Sequence, residues 1–218
     1  MSFQRLAPSM ADLQTGDLVW PRADKQIVFF QDNNPQAAPW LAQHALMAAS
    51  PMRQSSEQTE LVDRFMRDCW VGHVALIELK EGLPWVVDAT PHRSGPATPG
   101  QKGVATQTYQ AFLDDHSHTQ SNIWHGRLIG QPDGFGQRLV NAAKHHLGKP
   151  YNISPLGLSN ADDFYCSKLI WHALRDALGI KLEKSGLHVP QPWFTPWDLM
   201  QADCVQLLYA PDGKSYRG

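Results

Sequence analysis

The chain has 218 residues, 42% hydrophobic and 18% charged, with a formal net charge of -2 when histidine is neutral. That length is enough for a full core, as one large or two small domains. The near-neutral balance presents no basic face for nucleic acid or an anionic membrane. The three cysteines, at positions 69, 166 and 204, are too sparse for a disulfide framework. The first residues hold no apolar run of signal-peptide length, and no stretch reaches the roughly 18 apolar residues of a membrane helix. The expectation is a soluble, cytoplasmic chain, with signal-independent export left open. Eight tryptophans either fill the core or line an aromatic surface for sugars, peptides or lipids.

In chain order, Leu13 to Trp20 reads as a turn entering a short strand that Pro21 ends. Arg22 to Pro35 is polar, with a candidate strand at Ile27–Phe30. Two helical stretches follow, a weak one over Pro39–Ala49 and a better one over Ser55–Asp68. Trp70–Leu79 is the best strand, and its alternate residues Val71, His73, Ala75, Ile77 and Leu79 share one face. A turn over Lys80–Pro84 and a strand over Trp85–Ala89 complete an antiparallel hairpin. Val104–Phe112 is expected to be extended, Asp114–Asn122 a polar loop, and Ile123–Ile129 a strand.

A helix is predicted from Pro132 to about Leu147, closed by Gly148 and stopped by Pro150. A second begins at Cys166, with Asp162 or Asp163 as cap and Gly179 as terminator. Pro196–Leu199 reads as a short helical turn and Val205–Tyr209 as a closing strand. The pattern is α+β in a single domain, 1–218, with an insertion at about 22–68.

The placement of Cys166 carries the chemistry. A thiol at a helix N-terminus faces unpaired backbone N–H groups and the positive end of the helix dipole, which favour the anionic nucleophile. It also lies on an apolar stripe, so a buried structural thiol is the competing reading. Cysteine catalysis needs a base, and a group that orients the base. His73 on the first hairpin strand supplies the former and Asp88 on the second the latter. Otherwise His73 is a satisfied core residue and Asp88 a strand-end cap. The N–H of Cys166 and the hydroxyl of Tyr165 are candidate oxyanion donors. Asp17 is a weaker substrate-binding candidate, and a turn residue in the plainer reading.

Cys69 and His73 have ligand-like spacing but lack a second zinc-type pair. His116, His118, His125, His145 and His146 read as loop or helix-surface residues. Gly134-Phe135-Gly136 lacks the third glycine and preceding strand of a phosphate loop. No metal or organic cofactor is called for.

Six segments then fall into a familiar order: Thr15-Gly16-Asp17-Leu18-Val19, Gly72-His73-Val74-Ala75-Leu76-Ile77, Val86-Val87-Asp88-Ala89, Gly148-Lys149-Pro150-Tyr151-Asn152, Phe164-Tyr165-Cys166-Ser167-Lys168-Leu169-Ile170-Trp171 and Phe194-Thr195-Pro196-Trp197-Asp198-Leu199. This order resembles the circularly permuted, NlpC-type papain-like cysteine peptidases of the YaeF/YiiX group. The resemblance implies a small antiparallel sheet or barrel packed on the nucleophile helix, with the histidine strand ahead of the cysteine helix. It implies Cys166 as nucleophile and His73 as base. The third polar position, often Glu in the family, falls on Asp88. Lys168 stands where the family usually has Glu, so a salt bridge or substrate contact there is lost or inverted. Residues 22–68 have no counterpart and would suit a lid or a specificity wall.

The leading expectation is a cysteine amidase or peptidase working through a thioacyl-enzyme, with cell-wall peptide (a muropeptide) as the substrate class the family suggests. A thiol-dependent acyltransferase or lipid/ester hydrolase is the second reading, and a binding module on a retired enzyme fold the third. Oligomeric state is not readable.

Overall fold

The computed structural model describes residues 12–21, 73–90, 102–116, 123–152, 158–180, 182, 194, 196–200 and 202–209. The expected elements at Ile27–Phe30, Pro39–Ala49 and Ser55–Asp68 lie outside these residues, as do the 22–68 insertion and Cys69. Among the described residues six strands form one antiparallel sheet: β1 (Leu18–Pro21), β2 (Ala75–Lys80), β3 (Leu83–Thr90), β4 (Gly103–Thr108), β5 (Ile123–Leu128) and β6 (Val205–Tyr209). Their order is β4-β3-β2-β1-β5-β6. Among the described residues the sheet is not closed, β4 and β6 standing at its two ends, so the barrel alternative gives way to an open sheet.

The hairpin turn is tighter than the sequence suggests. Lys80 already pairs with Leu83, and Leu79 with Pro84. The turn is therefore Glu81-Gly82 alone, and both residues have positive φ, 52° and 79°. This is the twist-matched two-residue turn, which a glycine at the second position makes accessible. Helix α1 (Tyr109–His116) replaces the end of the expected extended segment and the start of the expected polar loop. Its first turn is held by Thr108, whose hydroxyl accepts from the Ala111 N–H at 3.2 Å, and Gln110 bonds Asp114 one turn on. A local side-chain cap of this kind outweighs the strand propensity of Tyr109 and Phe112.

Each sheet face has its own cover. On one, α2 (Phe135–Lys144) and α3 (Cys166–Leu178) bury Leu139, Val140, Ala143, Leu169, Ile170, Ala173 and Leu174 against Leu18, Trp20, Val74, Leu76, Val87 and Trp124. Each fully buried leucine or isoleucine here contributes about 1.5–3 kcal/mol over its exposed state. On the other face Ala75, Ile77 and Val86 pack with Tyr109, Phe112 and Leu113. Trp20 and Trp124 are core residues, while Trp85 and Trp171 are half-buried.

Gly136 explains a motif that is not a phosphate loop. A Cβ on it would run into the carbonyl of Thr15, and one on Gly16 would sit 2.5 Å from the Gly136 Cα. The glycines let the start of α2 lie directly on the turn that feeds β1. That turn also carries Asp17, whose carboxylate is 1% exposed. It accepts from the Gln14 N–H at 2.8 Å, from Arg127 Nε at 2.7 Å and Nη2 at 2.9 Å, and pairs with His125 Nε2 at 2.8 Å. Burial alone would raise its pKa, but these partners hold it below the usual carboxylate range. His125 is consequently a buried strand residue, not the surface residue the sequence suggested.

Candidate active site

Cys166 is the first residue of α3, and Tyr165 before it is extended (φ -106°, ψ 169°). The first intrahelical bond runs from the Leu169 N–H to the Tyr165 carbonyl at 3.0 Å. The N–H groups of Cys166, Ser167 and Lys168 therefore belong to the helix end that has no carbonyl four residues back. No acidic side chain caps this end, contrary to the expectation for Asp162 or Asp163. Asp163 is drawn away instead. It pairs with Lys168 Nζ at 2.9 Å and accepts from Asn152 at 2.8 Å. An uncapped end leaves the positive dipole facing the sulfur rather than a carboxylate.

Two further bonds pin the chain beside the helix start. Ser167 Oγ donates to the Phe194 carbonyl at 2.6 Å, and the Phe194 N–H donates to the Tyr165 hydroxyl at 3.2 Å. Trp20 Nε1 donates to the Pro196 carbonyl at 3.1 Å, tying α4 (Pro196–Met200) to the central strand. Tyr165 is thus a buried clamp, and burial raises its hydroxyl pKa.

His73 and Asp88 meet across the hairpin. The ladder pairs Leu76 with Val87. One step further places Asp88 opposite Ala75, where β2 begins; His73 precedes the strand by two residues, so the expected strand over Trp70–Leu79 is shorter than the alternation suggested. His73 Nε2 lies 2.9 Å from Asp88 Oδ2, with the carboxylate fully buried and the imidazole 12% exposed. The ring rests near Phe112, with 6.0 Å between centroids. The Cys166 sulfur lies near enough to the ring for its charge to favour the imidazolium. Burial would lower the His73 pKa, but the charge of the Cys166 sulfur, the hydrogen bonds to Asp88 and Cys166, and the Asp88 charge together raise it to about 9. The imidazole is therefore a cation at neutral pH.

His73 and Asp88 are thus paired, with the Cys166 sulfur near enough to act on His73, and the three residues are 12%, 0% and 2% exposed. Tyr165 adjoins Cys166. Asp17 does not join these residues, because its carboxylate is occupied by the Arg127 and His125 network.

A protein-family model for the "Permuted papain-like amidase enzyme, YaeF/YiiX, C92 family" matches residues 54–189, more than half of the chain and all three of these positions. The chain belongs to this family. A relative from Escherichia coli (strain K12), "Uncharacterized protein YiiX", is 28% identical over 126 residues, which is 55% of this chain and 55% of the relative. The alignment thus spans about half the length of that protein. The "Crystal structure of metalloprotein yiiX from Escherichia coli O157:H7, DUF1105" matches with a TM-score of 0.51 at 16% identity, over 90% of this chain and 96% of that one. The α+β fold agrees with the permuted papain-like family.

Where this family member departs from the expected Glu at position 168, the charge is inverted and locally balanced. Lys168 is 1% exposed and its ammonium is neutralised by Asp163. Sequence reading also passed over a second histidine cluster. His146 is buried rather than surface, and it lies beside His172, which no pattern had singled out. The i, i+4 spacing of His172 and Asp176 on α3 was the available signal. Among the described residues, no helix is long and apolar enough to cross a membrane.

Proposed function

We propose that this permuted papain-like family member is a cysteine amidase in which Cys166 attacks the carbonyl carbon, His73 carries the proton, and Asp88 orients and charges His73. The observation that carries the reading is His73 itself. It bonds Asp88 at 2.9 Å and feels the charge of the nearby Cys166 sulfur, and it holds its proton to about pH 9.

The reaction follows from these positions. The Cys166 sulfur, anionic beside the imidazolium, adds to the amide carbon. The developing oxyanion points at the open N–H groups of the first α3 turn. His73 Nδ1 passes its proton to the leaving nitrogen, the C–N bond breaks, and a thioester remains on Cys166. Neutral His73 then takes a proton from water, whose oxygen adds to the thioester. Collapse releases the acid and restores the sulfur anion and the imidazolium. No step passes through a metal.

Peptide amides are the substrate class, with cell-wall peptide the first to test. The decisive experiment compares wild type with Cys166→Ala on peptide, muropeptide and acyl-ester panels. Amide turnover that falls to background in a folded Cys166→Ala protein is the expected result. Retained turnover in that variant would end the proposal. Turnover confined to esters would shift the reading to a lipid or ester hydrolase.

A further inference from the structure

Beside Phe164, α2 with the turn after it and α3 bring together three groups that the amide chemistry does not use. His146 lies in the turn after α2, and His172 and Asp176 lie one turn apart on α3. One ligand atom from each lies within 4.8 Å of the others. His146 Nε2 is buried without a hydrogen-bond partner, in a residue only 6% exposed. Buried imidazole nitrogens are ordinarily satisfied, so an orphan among neighbouring ligand groups calls for an explanation. The His146 ring is braced at 4.4 Å from the Phe164 ring and meets His172 edge-on at 5.8 Å.

His172 carries the second sign. Its Nε2 lies 2.8 Å from the Leu158 carbonyl. A carbonyl can only accept, so Nε2 bears the hydrogen and Nδ1 presents a lone pair. A backbone carbonyl fixing the tautomer of a histidine is the arrangement that surrounds metal-bound imidazoles. The lone pair is covered by Arg175, whose Nη2 is 2.9 Å from His172 Nδ1 and whose Nε donates to Asp176 Oδ1 at 2.7 Å. The guanidinium thus bridges the two α3 groups as a cation would. It is about one-third exposed, and its other neighbour is the Trp171 ring at 5.1 Å, to which it can withdraw.

We propose that His146, His172 and Asp176 form a zinc-type divalent metal site, with Arg175 as a competing cation that the metal displaces. Two imidazoles and a carboxylate suit zinc, with water completing a tetrahedron. Tetrahedral zinc bonds set ligand atoms roughly 3.3 Å apart, so the side chains close by about 1.5 Å on binding. The metal ties the turn after α2 to the nucleophile helix at a point some 9 Å along its axis from Cys166.

The test titrates the full chain, stripped with a chelator, with Zn2+ against a chromophoric chelator and with Co2+ by visible absorption. The expected result is one ion per chain, bound roughly tenfold or more weakly in Asp176→Asn. Arg175→Met should bind more tightly than wild type. Asp176 is exposed and Arg175 partly so, which keeps both variants foldable; His146→Gln, checked by near-UV circular dichroism, should lose binding as well. Labelling of Cys166 by iodoacetamide should be unchanged with zinc bound. The proposal is overturned by any of three results: no stoichiometric binding; equal affinity in wild type, Asp176→Asn and Arg175→Met; or a thiolate-to-cobalt charge-transfer band with Cys166 labelling blocked, which would put the ion on the catalytic sulfur.

Discussion

Replacing Asp88 by Asn tests the catalytic line without needing to know the substrate. The gap between the ordinary histidine pKa of 6.5 and the value of about 9 for His73 corresponds to about 3 kcal/mol in favour of the imidazolium. Burial works against that total, while the Cys166 charge, hydrogen bonds to Asp88 and Cys166, and the Asp88 charge work for it. Asn keeps an acceptor for Nε2–H and removes only the charge. Loss of one opposite charge at this range lowers a pKa by about 1 or more. Alanine removes the hydrogen bond too and should lower it further. The assay is the ratio of Cys166 alkylation rates by iodoacetate and iodoacetamide, read on its own tryptic peptide. The anionic reagent is drawn by the imidazolium and the neutral one is not, so the ratio drops as His73 loses its proton. In wild type the midpoint should lie near 9, and in Asp88→Asn about one pH unit or more lower. The sign for stability agrees. His73 binds its proton more tightly folded than unfolded, so its stabilisation is complete below pH 6.5 and is lost as pH rises through about 9. A wild-type ratio with no step between pH 7 and 10, or one midpoint shared by wild type and both variants, would refute the reasoning.

Asp17→Ala leaves Arg127 and His125 without their buried counter-charge, and should cost about 3–5 kcal/mol in urea unfolding while the Cys166 labelling rate of the folded fraction stays at the wild-type value. Gly136→Ala drives a methyl into the Thr15 backbone and should cost about 1–3 kcal/mol by the same measurement. Lys168→Met strands Asp163 with Asn152 alone. Asp163 is partly exposed, so the expected loss is about 1–3 kcal/mol, and Lys168→Met with Asp163→Asn should recover much of it in a double-mutant cycle.

The parts of the fold legible in the sequence were those with strong local signals. The α3 stripe and its terminator at Gly179 (φ 64°) match the expected helix, and strands β5 and β6 fall where alternation put them. The hairpin brought His73 and Asp88 together, although its turn is shorter than expected, because a Glu-Gly pair at positive φ lets Pro84 join the ladder. Tyr109 to Phe112 misled because aromatic residues favour strands, while the cap from Thr108 depends on a single hydroxyl. His146 misled for another reason: its burial comes from Phe164 and His172, which approach from a different helix. Asp163 likewise looked like a cap because only tertiary contact reveals that Lys168 and Asn152 claim its oxygens.

The hold of Lys168 on Asp163 bears on how the nucleophile is kept reactive. A carboxylate capping the first turn of α3 would satisfy the same N–H groups that an oxyanion needs, and would place a negative charge beside the sulfur. Lys168, two residues past Cys166 and buried, holds Asp163 at 2.9 Å and so keeps that carboxylate off the helix end. Meanwhile the helix start is fixed mechanically by neutral bonds, Ser167 to the Phe194 carbonyl and the Phe194 N–H to Tyr165. The end of the helix is thus held in place and has no side-chain cap. The one carboxylate in the line, Asp88, reaches the sulfur only through His73, where its charge raises the proton affinity of the imidazole instead of repelling the thiolate directly.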